Sequence, residues 1–93
     1  MNNLEIVRYI SDKSSISEDK CKIILKSIEK RAEERLVEKF KGMKYNSNIF
    51  IEKVSERSGY SYEDCEIVFS HLNNIIKNNI LEKFIFLKKF NFI

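Results

Sequence analysis

Few residues in this 93-residue chain could do chemistry. The two cysteines share one local pattern, since "ISEDKC" (Ile16 to Cys21) and "YSYEDC" (Tyr60 to Cys65) each set a serine four residues before the thiol. Such a pair could form a disulfide or a redox couple, and it supplies only half the ligands of a structural zinc site. His71 is the one histidine, and no Cys, Asp or Glu stands at a spacing that would gather a ligand set on its face of a helix. It is expected at the edge of the core, and neither a metal nor another cofactor is expected. There is no glycine-rich phosphate loop, no nucleophile with a base at recognisable spacing, and no carboxylate pair beside a pocket signal. The chain therefore reads as non-enzymatic, with no catalytic residue and no small-molecule substrate.

Basic residues offer a second kind of chemistry, the neutralisation of phosphates. Lys22, Lys26 and Lys30 step by four residues along one flank of a long helical pattern, and Arg31, Arg35 and Lys39 do so along another. Glu29, Glu33, Glu34 and Glu38 are interleaved with them, so the alternating charges also fit an ordinary solvated face. The net charge is +3, and residues 1 to 45 hold eleven Lys or Arg against eight acids, while residues 46 to 93 hold six against six. An anionic partner should favour the first half. If about four phosphates were neutralised, log affinity would fall against log salt with a slope near −3.6, and binding would be weak and blind to base sequence.

The elements that must position these residues follow from a repeat. At an offset of 44, Ser11/Ser55, Ser14/Ser58, Ser17/Ser61, Cys21/Cys65, Ile23/Ile67 and the closing "EKF" are identical, and most other apolar positions stay apolar. The expected organisation is one domain over residues 1–93, with repeats at 3–42 and 46–84 and a tail at 85–93. With no proline and only two glycines, the expected fold is all-α or mostly α. Each repeat predicts a short helix, a tight turn and a long helix. Apolar faces are expected at Ile6, Val7, Ile10 and at Cys21, Ile24, Leu25, Ile28, Ala32, Leu36 in the first copy. In the second they are Phe50, Ile51, Val54 and Cys65, Val68, Phe69, Leu72, Ile76.

Asn3 and Ser47 or its neighbours are expected to open the short helices, and Ser17 and Ser61 to cap the long ones. Ile16 and Tyr60 then precede the cap, with Cys21 and Cys65 four residues after it, the spacing of a hydrophobic staple. The cysteines are read as small buried plugs rather than redox or metal residues. Asp64 completes a capping-box pattern that Lys20 does not, and Gly59 suits a left-handed helix end where Ser15 stands in the first copy. Tyr9, Tyr45, Tyr60 and Tyr62 are placed at the core rim or an interface.

"NIFIEKVSERSGYSYEDCEIVFSHLNNIIKNNI" resembles the N-terminal helical hairpin of the HU/IHF family of histone-like DNA-binding proteins, and "IFLKKFNFI" is similar to that family's first strand. Ile85, Leu87, Phe90 and Ile93 fall on the strand's apolar positions, and Asn91 on its glycine. Family members dimerise by packing two such hairpins, so the resemblance implies a four-helix HU-like pseudo-dimer within one chain, or a true dimer between chains. Members continue into a sheet and a basic DNA-gripping arm; no residues up to Ile93 match that arm.

The tail "FIFLKKFNFI" reads as a short β-strand or a helical extension. Extended, it sets Phe84, Phe86, Phe90 and Phe92 on one side, an interface that could fold back on the bundle, pair two chains as a homodimer, or capture a partner's sheet edge. Lys88 and Lys89 would guard that edge or add phosphate contacts.

No apolar run reaches the roughly 18–20 residues that span a bilayer, and the N-terminus has no signal-peptide pattern. A cytoplasmic protein without membrane contact is expected. The leading functional reading is weak, sequence-nonspecific DNA binding, or attendance at a DNA-based assembly, through Lys22, Lys26, Lys30, Arg31, Arg35, Lys39, Lys88 and Lys89. The alternative is a protein-interaction module, such as a small phage-type regulator or inhibitor of a nucleic-acid machine.

Overall fold

Ser17 and Ser61 each start a long helix. Ser17 Oγ accepts from the Lys20 amide at 3.3 Å and Ser61 Oγ from the Asp64 amide at 3.2 Å, which satisfies a helix N–H that otherwise lacks a partner. The computed structural model describes residues 3–77 and carries four helices there: α1 (Asn3–Ser14), α2 (Glu18–Phe40), α3 (Ser47–Ser58) and α4 (Tyr62–Lys77). Among the described residues there is no strand, and no helix is long and apolar enough to cross a membrane.

The turns that join each short helix to its long one use the same bonds 44 residues apart. Ser11 Oγ donates to the Ile16 carbonyl, as Ser55 Oγ does to that of Tyr60 at 2.6 Å. Ser14 Oγ accepts from the Ile16 amide and Ser58 Oγ from the Tyr60 amide, both at 3.3 Å. The amide of Ser15 returns to Ser11 O and that of Gly59 to Ser55 O, both at 2.9 Å. Both turns pass through a left-handed residue, Ser15 at φ 62° and Gly59 at φ 78°. Glycine adopts that conformation freely, whereas serine meets a Cβ clash with the backbone. Two of the three identical serines in each repeat thus act on the backbone of the turn, and the third caps the long helix that follows.

The core follows from the apolar spacing. Ile6, Val7 and Ile10 of α1 and Phe50, Ile51 and Val54 of α3 are buried, as are Cys21, Ile24, Leu25, Ile28 and Ala32 of α2 and Cys65, Val68, Phe69 and Leu72 of α4. Side chains of Leu or Ile size fully withdrawn from water are worth about 1.5–3 kcal/mol each, so this interior holds the helices together. Each short helix packs against both long helices, and the long helices meet each other. Phe50 stacks on Phe69 with centroids 5.0 Å apart, and Tyr45 meets Phe50 edge-on at 6.0 Å. Tyr9, Tyr45, Tyr60 and Tyr62 are half-buried against this core.

Two details, at Leu36 and Asp64, differ from the sequence expectation, and two others, at Asn46 and Ile75, complete it. Leu36 is 41% exposed, because the buried stripe of α2 continues from Ile24 and Ile28 through Arg31 and Arg35, seven residues on, and Leu36 lies one residue round the helix from it. Of the cap candidates at Ser47 and its neighbours, Asn46 caps α3, its Oδ1 accepting from the Ile49 amide at 3.1 Å. In α4 the side chain of Ile75 is buried, while that of Ile76 lies outside the described residues. The Asp64 carboxylate does not close a capping box within its own hairpin but is engaged by Lys20 Nζ of the other one. Lys20 and Asp64 are equivalent positions of the two repeats, so this one position of each repeat meets its counterpart with opposite charge. Lys20 also sits over the Tyr60 ring at 5.0 Å.

The connector between hairpins is folded at its start. The Gly42 amide donates to Lys39 O and the Met43 amide to Glu38 O, both at 3.0 Å, and Gly42 takes φ 77°. This double return satisfies the last carbonyls of α2 and turns the chain toward α3.

Candidate nucleic-acid interface on α2

The six basic residues of α2 singled out by spacing separate into two groups. Lys22, Lys26 and Lys30 are exposed, on successive turns of one helix. A four-residue step advances about 6 Å along the axis, so the three ammonium groups form a short row. None of them makes an ion pair within the described residues. Lys39 is exposed in the last turn.

Arg31 and Arg35 do not belong to that surface, since each is only 5% exposed. Arg31 holds Glu38 through two bonds, Nη1 to Oε2 at 2.7 Å and Nη2 to Oε1 at 2.9 Å, and reaches Glu34 Oε1 at 3.5 Å. Its guanidinium lies 5.9 Å from the centre of the Phe50 ring. The Arg31 hydrogen bonds hold the Glu38 carboxyl below the usual carboxylate range, with the charges of Arg35 and Lys53 adding to the effect. Glu34 is lowered too, chiefly by its 2.6 Å bond from Arg57 Nη2, which ties α2 to α3. Arg35 places its guanidinium 5.7 Å from the centre of the Tyr45 ring. Long aliphatic stems let arginine bury most of its surface, and a seven-residue step from Ile24 and Ile28 was the available sign that these two would turn inward.

Beside the lysine row, α1 and α2 leave a groove of about 380 Å³ lined by Leu4, Ile6, Val7 and Leu25, with Lys22, Lys26 and Glu29 at its charged side. A second feature escaped the sequence reading. Near the end of α2, Leu36, Val37, Phe40 and Met43 are all exposed, Phe40 at 86%. The signal for it was the apolar spacing 36, 37, 40 continuing past the last core residue of the helix.

The thiols are unsuited to nucleophilic work. Cys21 and Cys65 are fully buried and unpaired by disulfide, and burial pushes both thiols up. Cys21 Sγ lies 3.7 Å from the Ile16 carbonyl, and Cys65 Sγ 3.5 Å from Ser58 Oγ. His71 is half-buried. Among the described residues no three His, Cys, Asp or Glu side chains stand close enough to hold a metal ion. Lys88, Lys89 and the aromatic interface Phe84, Phe86, Phe90 and Phe92 lie outside the described residues. Comparison of the chain with protein-family models, with curated proteins and with solved structures found no match.

Proposed function

We propose that the chain is a non-enzymatic, HU-like helical module that binds nucleic acid weakly and without base specificity through the exposed flank of α2. The observation that carries this reading is the row Lys22, Lys26, Lys30, exposed on successive turns and without ion-pair partners among the described residues. Its HU-like part is supported by the two turns with the same serine bonds 44 residues apart and by short helices that each pack on both long helices. That arrangement fits a duplicated hairpin folded as its own pseudo-dimer.

Burial of Arg31 and Arg35 lowers the count of contacts in this reading to three lysines, with Lys39 at the far end. Three neutralised phosphates correspond to a salt slope of about −2.7. Fluorescence anisotropy with a labelled DNA duplex over a range of salt is the test. Micromolar binding with a slope near that value, lost on changing the three lysines to glutamine, supports the reading; no binding at low salt removes it. A second reading, a protein-interaction module, is favoured by one observation, the exposed Leu36, Val37, Phe40 and Met43, because large apolar groups gathered on a surface mark contact sites.

A further inference from the structure

Arg35 presents a problem that the reading above leaves unsolved. It is 5% exposed, yet its Nε and Nη1 are fully buried with no hydrogen-bond partner among the described residues. A buried charged donor left unpaired is costly, so such a group either meets water or a ligand. The side chain lines a cavity of about 190 Å³ between the end of α2, the connector and the first turn of α3. A water molecule's share of liquid volume is about 30 Å³, so this space is several waters large.

The cavity's charge is one-sided. Lys44 and Lys53 line it together with Arg31 and Arg35, and its one lining carboxylate, Glu38, has both oxygens held by Arg31. Arg31 and Glu38 cancel, which leaves Arg35, Lys44 and Lys53 as the uncompensated charges of the lining. Asn46 and Ile49 are also in its lining, so the first turn of the twelve-residue helix α3 borders it and adds the positive end of the helix dipole. The Tyr45 ring, also in the lining, has its centre 5.7 Å from the Arg35 guanidinium carbon.

We infer that this cavity is a binding site for a dianionic phosphate group, as in inorganic phosphate or a phosphate monoester, with Arg35 as its central donor. The Arg35 guanidinium and the two lysines supply the positive charge that a doubly ionised phosphate requires. A monoester presents three free oxygens and close to two charges to a basic site. A backbone phosphodiester brings one charge and a sugar on either side, which suits the open lysine row better than this recess. The inference stands apart from DNA binding on α2, and either can fail alone.

Thermal unfolding in phosphate at millimolar concentration, against chloride at matched ionic strength, tests it on the intact chain. A ligand that binds only the folded state raises the folding equilibrium constant by one plus its concentration over Kd, about elevenfold at ten times Kd. The expected result is a saturable rise in Tm for the wild type. Arg35→Met should keep the packing, unfold without phosphate at or above the wild-type Tm, and lose the phosphate response. Lys13→Met, on α1, should respond like the wild type. General salting-out by phosphate would survive in Arg35→Met, so a response retained there overturns the inference. Identical wild-type curves in phosphate and chloride also overturn it and assign the Arg35 donors to water. An Arg35-dependent shift with a short DNA duplex but none with phosphate would overturn the monoester assignment in favour of a nucleic-acid backbone.

Discussion

Replacing Glu38 by Gln should destabilise the protein far more than replacing Arg31 by Met, although both changes break the same pair. Two unit charges about 4 Å apart attract by about 4 kcal/mol at an effective dielectric constant of 20. Glu38 retains 22% exposure of its side chain and Glu34 stands 3.5 Å from Arg31 as a second acceptor, so part of that attraction is screened or replaced. Glu38→Gln, which strands a buried guanidinium, should therefore cost about 2 kcal/mol, below the 3–5 kcal/mol typical when a fully buried pair is broken. Arg31→Met removes the buried charge and leaves Glu38 free to face water, so it should change stability by less than about 1 kcal/mol. In the double variant the Glu38 change should cost almost nothing more, giving a coupling of about 2 kcal/mol.

Urea unfolding followed by circular dichroism at pH 7 measures all four corners of this cycle. The pH dependence has a definite sign. The folded-state pKa of Glu38 lies below its unfolded value, so the pair's contribution is complete above the unfolded value of about 4.3 and disappears as pH falls through the folded pKa. The wild type and Glu38→Gln should converge in acid. A Glu38→Gln cost under about 0.5 kcal/mol at pH 7, or additive effects in the double variant, would refute the account of Arg31 as a structural arginine.

Ser15→Gly should stabilise the fold by about 0.5–1 kcal/mol, because the exposed Ser15 holds φ 62° where Gly59 serves the equivalent turn; chemical denaturation reads this, and a loss of stability would count against it. The thiols of Cys21 and Cys65, fully buried and pushed up by that burial, should react with an aromatic disulfide reagent only as fast as the bundle opens. Labelling of the native protein at the rate of a free thiol would contradict their placement. Ser17→Ala and Ser61→Ala should each cost about 1 kcal/mol by the same denaturation assay, with near-equal losses because the two caps share one geometry.

The features legible from the sequence are those decided locally. A serine before an acidic first turn has one economical use, so Ser17 and Ser61 announced the starts of α2 and α4, and three- and four-residue apolar steps announced the faces that meet. Ser11, Ser14, Ser55 and Ser58 were seen as identical pairs but not explained, because their bonds to Ile16 and Tyr60 depend on the path of the turn. The candidate site was half legible. Lys22, Lys26 and Lys30 lie on the surface as their spacing implies, whereas Arg31 and Arg35 were read as surface charges because charge weighs against burial when no partner is in view. Their partners, Glu38 one turn beyond Glu34 and the rings of Phe50 and Tyr45 from α3 and the connector, become apparent only when the helices are assembled. The Lys20–Asp64 pair was hidden for the same reason, since its two residues meet only where the hairpins face each other.

Titration of isotope-labelled protein with a short DNA duplex, followed by amide chemical shifts, tests the functional account most directly. The account predicts shifts that follow the exposed flank of α2 around Lys22, Lys26 and Lys30 and that fade as salt is raised. Spectra unchanged at low salt, or changes confined to Leu36, Val37, Phe40 and Met43, would contradict it.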